Sequence, residues 1–184
     1  DNGRGIHLFP HPYVTGDALI SWIAQMRTMG MKWTTTLNTD YASLTRLAQA
    51  FIQPVVRPFK RANQNWDDVG YIIHDMLALG VGPYIQIYNE PELAVEWDGG
   101  DANRDQFIWN WLSGAENVHA HGGYPGIQLL DPEWLRALLR AVKSVGREEV
   151  FDRAWFCSHN YASNHPPTYP YDALNPGKTA QEDW

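Results

Sequence analysis

Residues 84–92 read Tyr84-Ile85-Gln86-Ile87-Tyr88-Asn89-Glu90-Pro91-Glu92 and are the most informative segment of this chain. The first five are apolar or aromatic apart from one glutamine, which is typical of a short buried strand. The segment then stops at an amide–carboxylate pair and a proline. Parallel α/β barrels build active sites by placing such carboxylates at the C-terminal ends of their strands. These residues therefore predict a strand that delivers Asn89 and Glu90 to a functional site. A solvated glutamate at a strand end is the alternative that they leave open.

The composition limits the class of protein. The chain has 184 residues, 44% of them hydrophobic, which is enough for one sizeable core and too short for two ordinary domains. We therefore expect residues 1–184 to form a single domain. The net charge of −7 argues against a nucleic-acid or anionic-membrane partner, because both need a basic face. The sequence has no run of about 18 apolar residues, so we expect no membrane-spanning segment.

The single cysteine, Cys157, excludes an internal disulfide and a cysteine-rich metal site. We interpret it as a small buried apolar residue. Glu116, His119 and His121 are of metal-ligating types, but they lie beside two glycines in a segment typical of a solvated loop. We expect no metal and no cofactor. One cysteine does not fix the compartment, and we favour an extracellular location.

Strand-like and helix-like segments alternate along the chain. Short runs rich in β-branched and aromatic residues are followed by segments whose apolar residues recur at i, i+3, i+4 and i+7. The predicted strands are 5–9, 31–37, 51–57, 84–88, 126–130 and 153–157. Two predicted helices are capped by Asp17 and Asp40, and three others begin near Asn65, Asn103 and Pro132.

This alternation predicts an α/β fold with parallel strands and right-handed crossovers. Both an open doubly wound sheet and a closed barrel satisfy the pattern. Polar residues follow the strands, and no glycine-rich phosphate loop follows the first strand, which together favour the barrel. We count six strand–helix units, the sixth unfinished, whereas a complete barrel has eight and typically about 250 residues. The expected fold is therefore an incomplete (β/α)8 TIM-type barrel over residues 1–184.

Segments at the ends of the predicted strands resemble the clan A glycoside hydrolases. They are Gly5-Ile6-His7, Arg57, Asn89-Glu90-Pro91 and Ser158-His159-Asn160-Tyr161. The resemblance covers most of the chain, and its Asn-Glu-Pro and His-x-Tyr motifs are moderately specific in combination. It implies a TIM barrel that hydrolyses a β-linked glycan with retention. The chain departs from the family pattern at Arg57, which follows the third predicted strand rather than the second.

The resemblance also implies roles for individual residues. Glu90 would be the general acid/base, and Asn89 would hold the 2-hydroxyl group of the sugar. The other residues that it places at the substrate and the nucleophile are His7, Arg57, His159 and Tyr161. Trp97, on the loop after Glu90, is the tryptophan that we expect to stack on a sugar ring, with core packing as the alternative.

A retaining glycosidase needs a second carboxylate about 5 Å from the acid/base. In the family this nucleophile follows strand seven, which the sequence lacks. Asp131 is better explained as the N-cap of the helix at Pro132. Glu92 and Glu96 are expected at the rim of the site. We therefore expect this segment alone to be inactive and a longer parent protein to be the enzyme, with an oligo- or polysaccharide as its substrate.

Two other functions stay open at this point. The chain could be a non-catalytic glycan-binding module that kept the groove and lost the nucleophile, or a structural barrel that self-assembles. Six units would leave the first and sixth strands as open edges, and such edges pair with other chains. We expect either another chain or the missing C-terminal strands to dock there.

Overall fold

A computed structural model of the chain describes the backbone of residues 5–7 and both the backbone and the side chains of residues 14–157. The strands are β1 (Gly5–His7), β2 (Trp33–Thr36), β3 (Gln53–Val56), β4 (Tyr84–Gln86), β5 (Tyr124–Ile127) and β6 (Trp155–Phe156). The helices are α1 (Gly16–Thr28), α2 (Tyr41–Gln49), α3 (Gly70–Ala78), α4 (Arg104–Ala120) and α5 (Pro132–Ser144). Short 3₁₀ helices at Ala94–Glu96 and Glu148–Arg153 follow β4 and precede β6.

The six strands form one sheet in the order β1-β2-β3-β4-β5-β6. Each strand pairs in parallel with the next, from Gly5 opposite Trp33 to Ile127 opposite Phe156. Right-handed crossovers between strands in sequential order put every connecting helix on the same face of the sheet. Consecutive helices accordingly contact each other, from α1 with α2 to α4 with α5. The predicted α/β class and parallel pairing are confirmed.

The helix-covered face of the sheet carries the apolar core. The main cluster packs β4 and β5 against the buried faces of α3, α4 and α5. Leu138 and Val142 of α5, spaced four residues apart on one face, are both fully buried in it. A smaller cluster packs α1 against α2, and its buried members are Leu19, Met26, Leu47 and Ile52.

The opposite face of the sheet carries a layer of aromatic rings. Trp33 of β2 packs edge-on against Tyr84 of β4 with 5.3 Å between ring centroids, although β3 lies between these strands. Tyr84 also contacts Tyr124 of β5 at 4.9 Å and Trp155 of β6 at 6.0 Å. Strands two apart in a flat sheet are separated by about 9.5 Å. The sheet therefore curves toward this face, which we call the concave face.

Gly126 makes room for the aromatic layer. A Cβ atom at Gly126 would lie 2.6 Å from the Trp155 ring and 3.0 Å from the Cα of Gln86. The Trp155 indole also donates a hydrogen bond to the carbonyl of Tyr124 at 2.9 Å. A glycine inside a strand often marks such a close approach, and here the ring of the neighbouring strand is the cause.

Helix α3 begins later than the sequence pattern predicts. The predicted start at Asn65 is wrong, because α3 begins at Gly70. The amide of Val69 donates to the side chain of Asn117 in α4 at 3.1 Å. Just before the predicted start, the amide of Ala62 donates to the carbonyl of Glu96, in the loop after β4, at 2.9 Å. This contact brings the loop between β3 and α3 against the segment that follows Glu90.

Aspartate side chains cap two of the helices. The predicted caps at Asp40 and Asp131 are confirmed, because their carboxylates accept the amides of Ser43 at 2.8 Å and Glu133 at 2.7 Å. The cap predicted at Asp17 is wrong, since α1 begins at Gly16. Within the described residues, the helices are too short or too polar for any of them to cross a membrane.

Candidate functional site

The C-terminal ends of three neighbouring strands form the candidate site. Arg57 follows β3, Asn89 and Glu90 follow β4, and Gln128 follows β5. Because the strands are parallel, these residues lie at one edge of the sheet. The side chain of Arg57 donates a hydrogen bond to that of Asn89, and the side chain of Gln128 accepts one from the backbone amide of Glu90, so these residues contact one another across the edge.

One of the predicted site residues can be placed only in part, and two others fall outside the described residues. The backbone of His7 ends β1 opposite Thr35, at the same edge of the sheet as Arg57. The side chain of His7 lies outside the described residues, as do all atoms of His159 and Tyr161.

The backbone turns sharply after β4. Tyr88 and Glu90 have φ angles of 58° and 34°, in the left-handed region that side chains other than glycine rarely adopt. Such a conformation persists where the surroundings hold it. The Tyr88 ring packs edge-on against Trp66 at 5.4 Å, and its hydroxyl donates to the carbonyl of Gln64 at 2.7 Å. Burial raises the pKa of the Tyr88 hydroxyl, which keeps it protonated as that donor.

Charged partners fix the side chain of Asn89 at both ends of its amide. Its Oδ1 accepts a hydrogen bond from Nη1 of Arg57, and its Nδ2 donates to Oε1 of Glu96 at 2.8 Å. The other carboxylate oxygen of Glu96 lies 3.4 Å from Nη1 of Arg61. An amide oxygen has two lone pairs and an amide nitrogen two hydrogens, so Asn89 keeps capacity for a ligand beside these partners.

Asn89 borders a cavity of about 170 Å³ at the ends of β2, β3 and β4. The cavity is lined by residues 57–61 and by Leu37, Tyr88, Asn89 and Glu96. Asn89 and Arg57 therefore both line the space that a small polar ligand would occupy.

The loop that carries Glu90 is tied to the end of β5 at two points. The half-buried Glu90 donates its backbone amide to Oε1 of the fully buried Gln128. Two residues further along, Oε1 of Glu92 accepts the backbone amides of Leu130 at 2.7 Å and Asp131 at 3.0 Å. Both contacts hold the Glu90 backbone against the neighbouring strand.

Glu92 and Glu96, both expected at the rim of the site, differ in their surroundings. Both carboxylates are half-buried and bonded within the protein. Oε2 of Glu92 is buried, while Glu96 bridges Asn89 and Arg61. The backbone amides at the end of β5 need acceptors, and Glu92 supplies one. Glu92 therefore ties the loop to the end of β5, whereas Glu96 lines the cavity and holds the amide of Asn89.

The sugar-stacking role predicted for Trp97 does not fit its position. Trp97 is 6% exposed, belongs to the main core cluster and donates its indole N–H to the carbonyl of Pro91 at 2.8 Å. A stacking platform needs an exposed ring face, so Trp97 anchors the loop after Glu90 instead. The exposed aromatic residue on the cavity wall is Phe59, at 53%. Phe59 could not be identified from the sequence, because its exposure depends on the course of the loop after β3.

Cys157 follows β6 on the concave face, where its Sγ lies 3.8 Å from Oε1 of Gln86. Burial raises the pKa of the thiol from about 9 to about 11, the charge of Arg57 lowers it, and the charge of Glu90 raises it. The thiol is therefore protonated at neutral pH, which disfavours a role as a nucleophile. It is half-buried, close to the burial predicted for it.

Two of the three residues considered as metal ligands contact charged side chains away from the candidate site. Glu116 pairs with Arg147 at 3.1 Å, and Nε2 of His121 lies 3.2 Å from the carboxylate of Asp68. In the part of the chain that the structure describes, no group of three histidine, cysteine, aspartate or glutamate residues is placed to hold a metal ion.

Comparison with known proteins adds no family to this description. A scan of the sequence against protein-family models finds no match, and a search among curated proteins finds none either. The function is therefore inferred from the residues and geometry of the site.

Proposed function

We propose that the chain contributes the first six strand–helix units of a (β/α)8 barrel that hydrolyses a β-linked glycan with retention. Glu90 is the general acid/base and Asn89 binds the sugar. The observation that carries the proposal is the position of Asn89-Glu90-Pro91 directly beyond β4, with Arg57 from the end of β3 bonded to Asn89. Polar side chains gathered at the C-terminal ends of parallel strands are the usual setting of a barrel active site.

Two features of the sheet favour a barrel over an open doubly wound sheet. A doubly wound sheet reverses its strand order and carries helices on both faces. Here the order runs from β1 to β6 without reversal, and each helix contacts the next along the same face. The aromatic layer curves the opposite face inward. Further strands between β6 and β1 would close this curve.

Glu90 and Asn89 supply complementary parts of the chemistry. In the first step, Glu90 protonates the glycosidic oxygen as the bond to the anomeric carbon breaks and a carboxylate attacks that carbon. In the second step, Glu90 takes a proton from the water that releases the sugar. Asn89 hydrogen-bonds the 2-hydroxyl group, and Arg57 and Glu96 hold its amide in place before the substrate arrives.

The attacking carboxylate comes from outside the described residues in this proposal. Retention requires it about 5 Å from Glu90. Glu92 is bonded to the end of β5, Glu96 bridges Asn89 and Arg61, and Asp131 caps α5. Each of these three carboxylates already has a structural role. We therefore assign the nucleophile to a strand that follows β6.

The test is hydrolysis by the intact protein of β-linked glycans and phenyl β-glycosides, with NMR detection of the product. We expect the β-anomer to form first and Glu90→Gln to lower kcat/KM about 10²- to 10⁴-fold. The matched control is Glu149→Gln, which changes an exposed glutamate and should leave the rate unaltered. An α-anomer as first product, or full activity in Glu90→Gln, would contradict the proposal. Binding without turnover by the intact protein would also contradict it and leave a glycan-binding role.

A further inference from the structure

A second, open groove adjoins the cavity beside Asn89. It has a volume of about 550 Å³ and shares three wall residues with that cavity, which are Leu37, Pro58 and Phe59. The rest of its wall comes from the end of β2 and the starts of α1, α2 and α3, namely Thr15, Asn38, Thr39, Asp40 and Tyr71. The two spaces therefore form one depression that runs along the C-terminal edge of the sheet.

Two aromatic side chains are exposed in this depression. Phe59, where the two spaces meet, is 53% exposed, and Tyr71 at the far wall is 60% exposed. Large exposed rings on a concave surface are typical of a binding site. Thr15, Thr39 and Asp40 also line the groove. Flat apolar faces beside hydroxyl and carboxylate groups suit the faces and edges of sugar rings.

The Phe59 ring is held by the same contacts that orient Asn89. The guanidinium carbon of Arg61 lies 5.3 Å from the centroid of the ring. Arg61 in turn donates to the carbonyl of Val95 at 2.6 Å and contacts Glu96, which accepts from Asn89. The exposed platform and the proposed sugar-binding amide are thus fixed relative to each other.

We propose that the groove binds sugar residues further along the glycan whose cleaved bond lies at Glu90, with Phe59 and Tyr71 as stacking platforms. This inference rests on the proposed function and narrows its substrate class. The substrate is a chain of several β-linked sugars rather than a disaccharide, because one or two sugars would fill the cavity beside Asn89 and leave the groove empty.

The experiment is isothermal titration calorimetry on the intact protein, carrying Glu90→Gln so that bound glycans are not cleaved. The probes are dimers and pentamers of β-1,4-linked glucose, mannose and xylose. We expect one series to bind at least about tenfold more tightly as the pentamer than as the dimer. Tyr71→Ala should weaken pentamer binding about fivefold to tenfold and leave dimer binding unchanged. Phe59→Ala should weaken both, because Phe59 borders both spaces.

The matched control is Trp109→Ala, which removes a 50% exposed aromatic side chain from α4 that lines neither space. The glycan affinities of this variant should equal those of the protein that carries Glu90→Gln alone. Equal dimer and pentamer affinities, or a pentamer affinity unaffected by Tyr71→Ala, would overturn the groove assignment while the proposed function stands. If no oligosaccharide binds at any length, both the groove assignment and the proposed function are wrong.

Discussion

The backbone amide of Glu90 donates a hydrogen bond to the side chain of Gln128, which lies 38 residues further along the chain at the end of the next strand. Glu90 has a positive φ, so its backbone needs such a partner to hold it. The direction in which the proposed acid enters the site is therefore set by β5 as well as by its own strand. This relationship leads to the first prediction.

Replacing Gln128 by leucine removes the side-chain acceptor of the half-buried Glu90 amide. We expect the free energy of unfolding to fall by about 1–3 kcal/mol, measured by urea denaturation of the intact protein. In the same protein kcat should fall with little change in KM, because the contact places the acid rather than the substrate. The control Gln106→Leu changes an exposed glutamine. Its free energy of unfolding should stay within about 0.5 kcal/mol of that of the unsubstituted protein. Equal stability of the two variants would show that the Gln128 contact does not hold the loop.

Glu92 offers a second test of the same loop. Glu92→Ala removes the acceptor of two backbone amides at the end of β5 and should cost about 2–3 kcal/mol. Glu92→Gln keeps an oxygen that can accept both hydrogen bonds, so its loss should be less than half as large. Urea denaturation of both variants decides the matter, and equal losses would contradict a role based on these hydrogen bonds.

Gly126 tests the packing of the concave face. A methyl group there would collide with the Trp155 ring, so we expect Gly126→Ala to destabilise the protein by about 1–3 kcal/mol. Trp155→Leu should relieve the collision, and the double variant should lose less stability than the two single losses added together. Strict additivity in thermal or urea denaturation would contradict the contact.

Much of the fold could be predicted from local patterns. Apolar runs, helical periodicity and the caps at Asp40 and Asp131 depend on neighbours within a few residues, and these features predicted the alternating units and their parallel pairing. The placement of Asn89 and Glu90 beyond β4 followed from the same reasoning, because a strand that ends at polar residues ends at the edge of the sheet.

The remaining features depend on contacts between distant loops. Residues 61–64 bond to the loop after Glu90, which delays α3 to Gly70 and exposes Phe59. The same packing buries Trp97 and turns Glu92 toward β5. The periodicity of a single segment carries no information about such partners. The sequence therefore indicated Trp97 rather than Phe59 as the residue that stacks on a sugar ring.

The raised pKa of Cys157 gives a prediction about pH. With a thiol pKa of about 11 instead of about 9, the thiolate fraction below pH 9 is about a hundredfold lower, and iodoacetamide should alkylate the native protein correspondingly slowly. The urea-unfolded chain is the control and should react as an ordinary thiol.

The same shift has a consequence for stability. The folded state binds the thiol proton more tightly, so this contribution is fully present below pH 9 and is lost as the pH rises through 11. Cys157→Ala should lack that loss between pH 9 and 11 in urea titrations. Rapid alkylation of the native protein at pH 8 would contradict the burial of the thiol.

The role of Glu90 is tested most directly by measuring how the rate of the Glu90→Gln variant depends on the leaving group of the substrate. A 2,4-dinitrophenyl β-glycoside leaves without protonation, whereas a phenyl β-glycoside needs a proton from the acid. The account predicts that Glu90→Gln lowers the rate of glycosyl transfer to the enzyme less than about tenfold for the dinitrophenyl substrate and about 10²- to 10⁴-fold for the phenyl substrate. Equal losses with both substrates would contradict the assignment of Glu90 as the general acid.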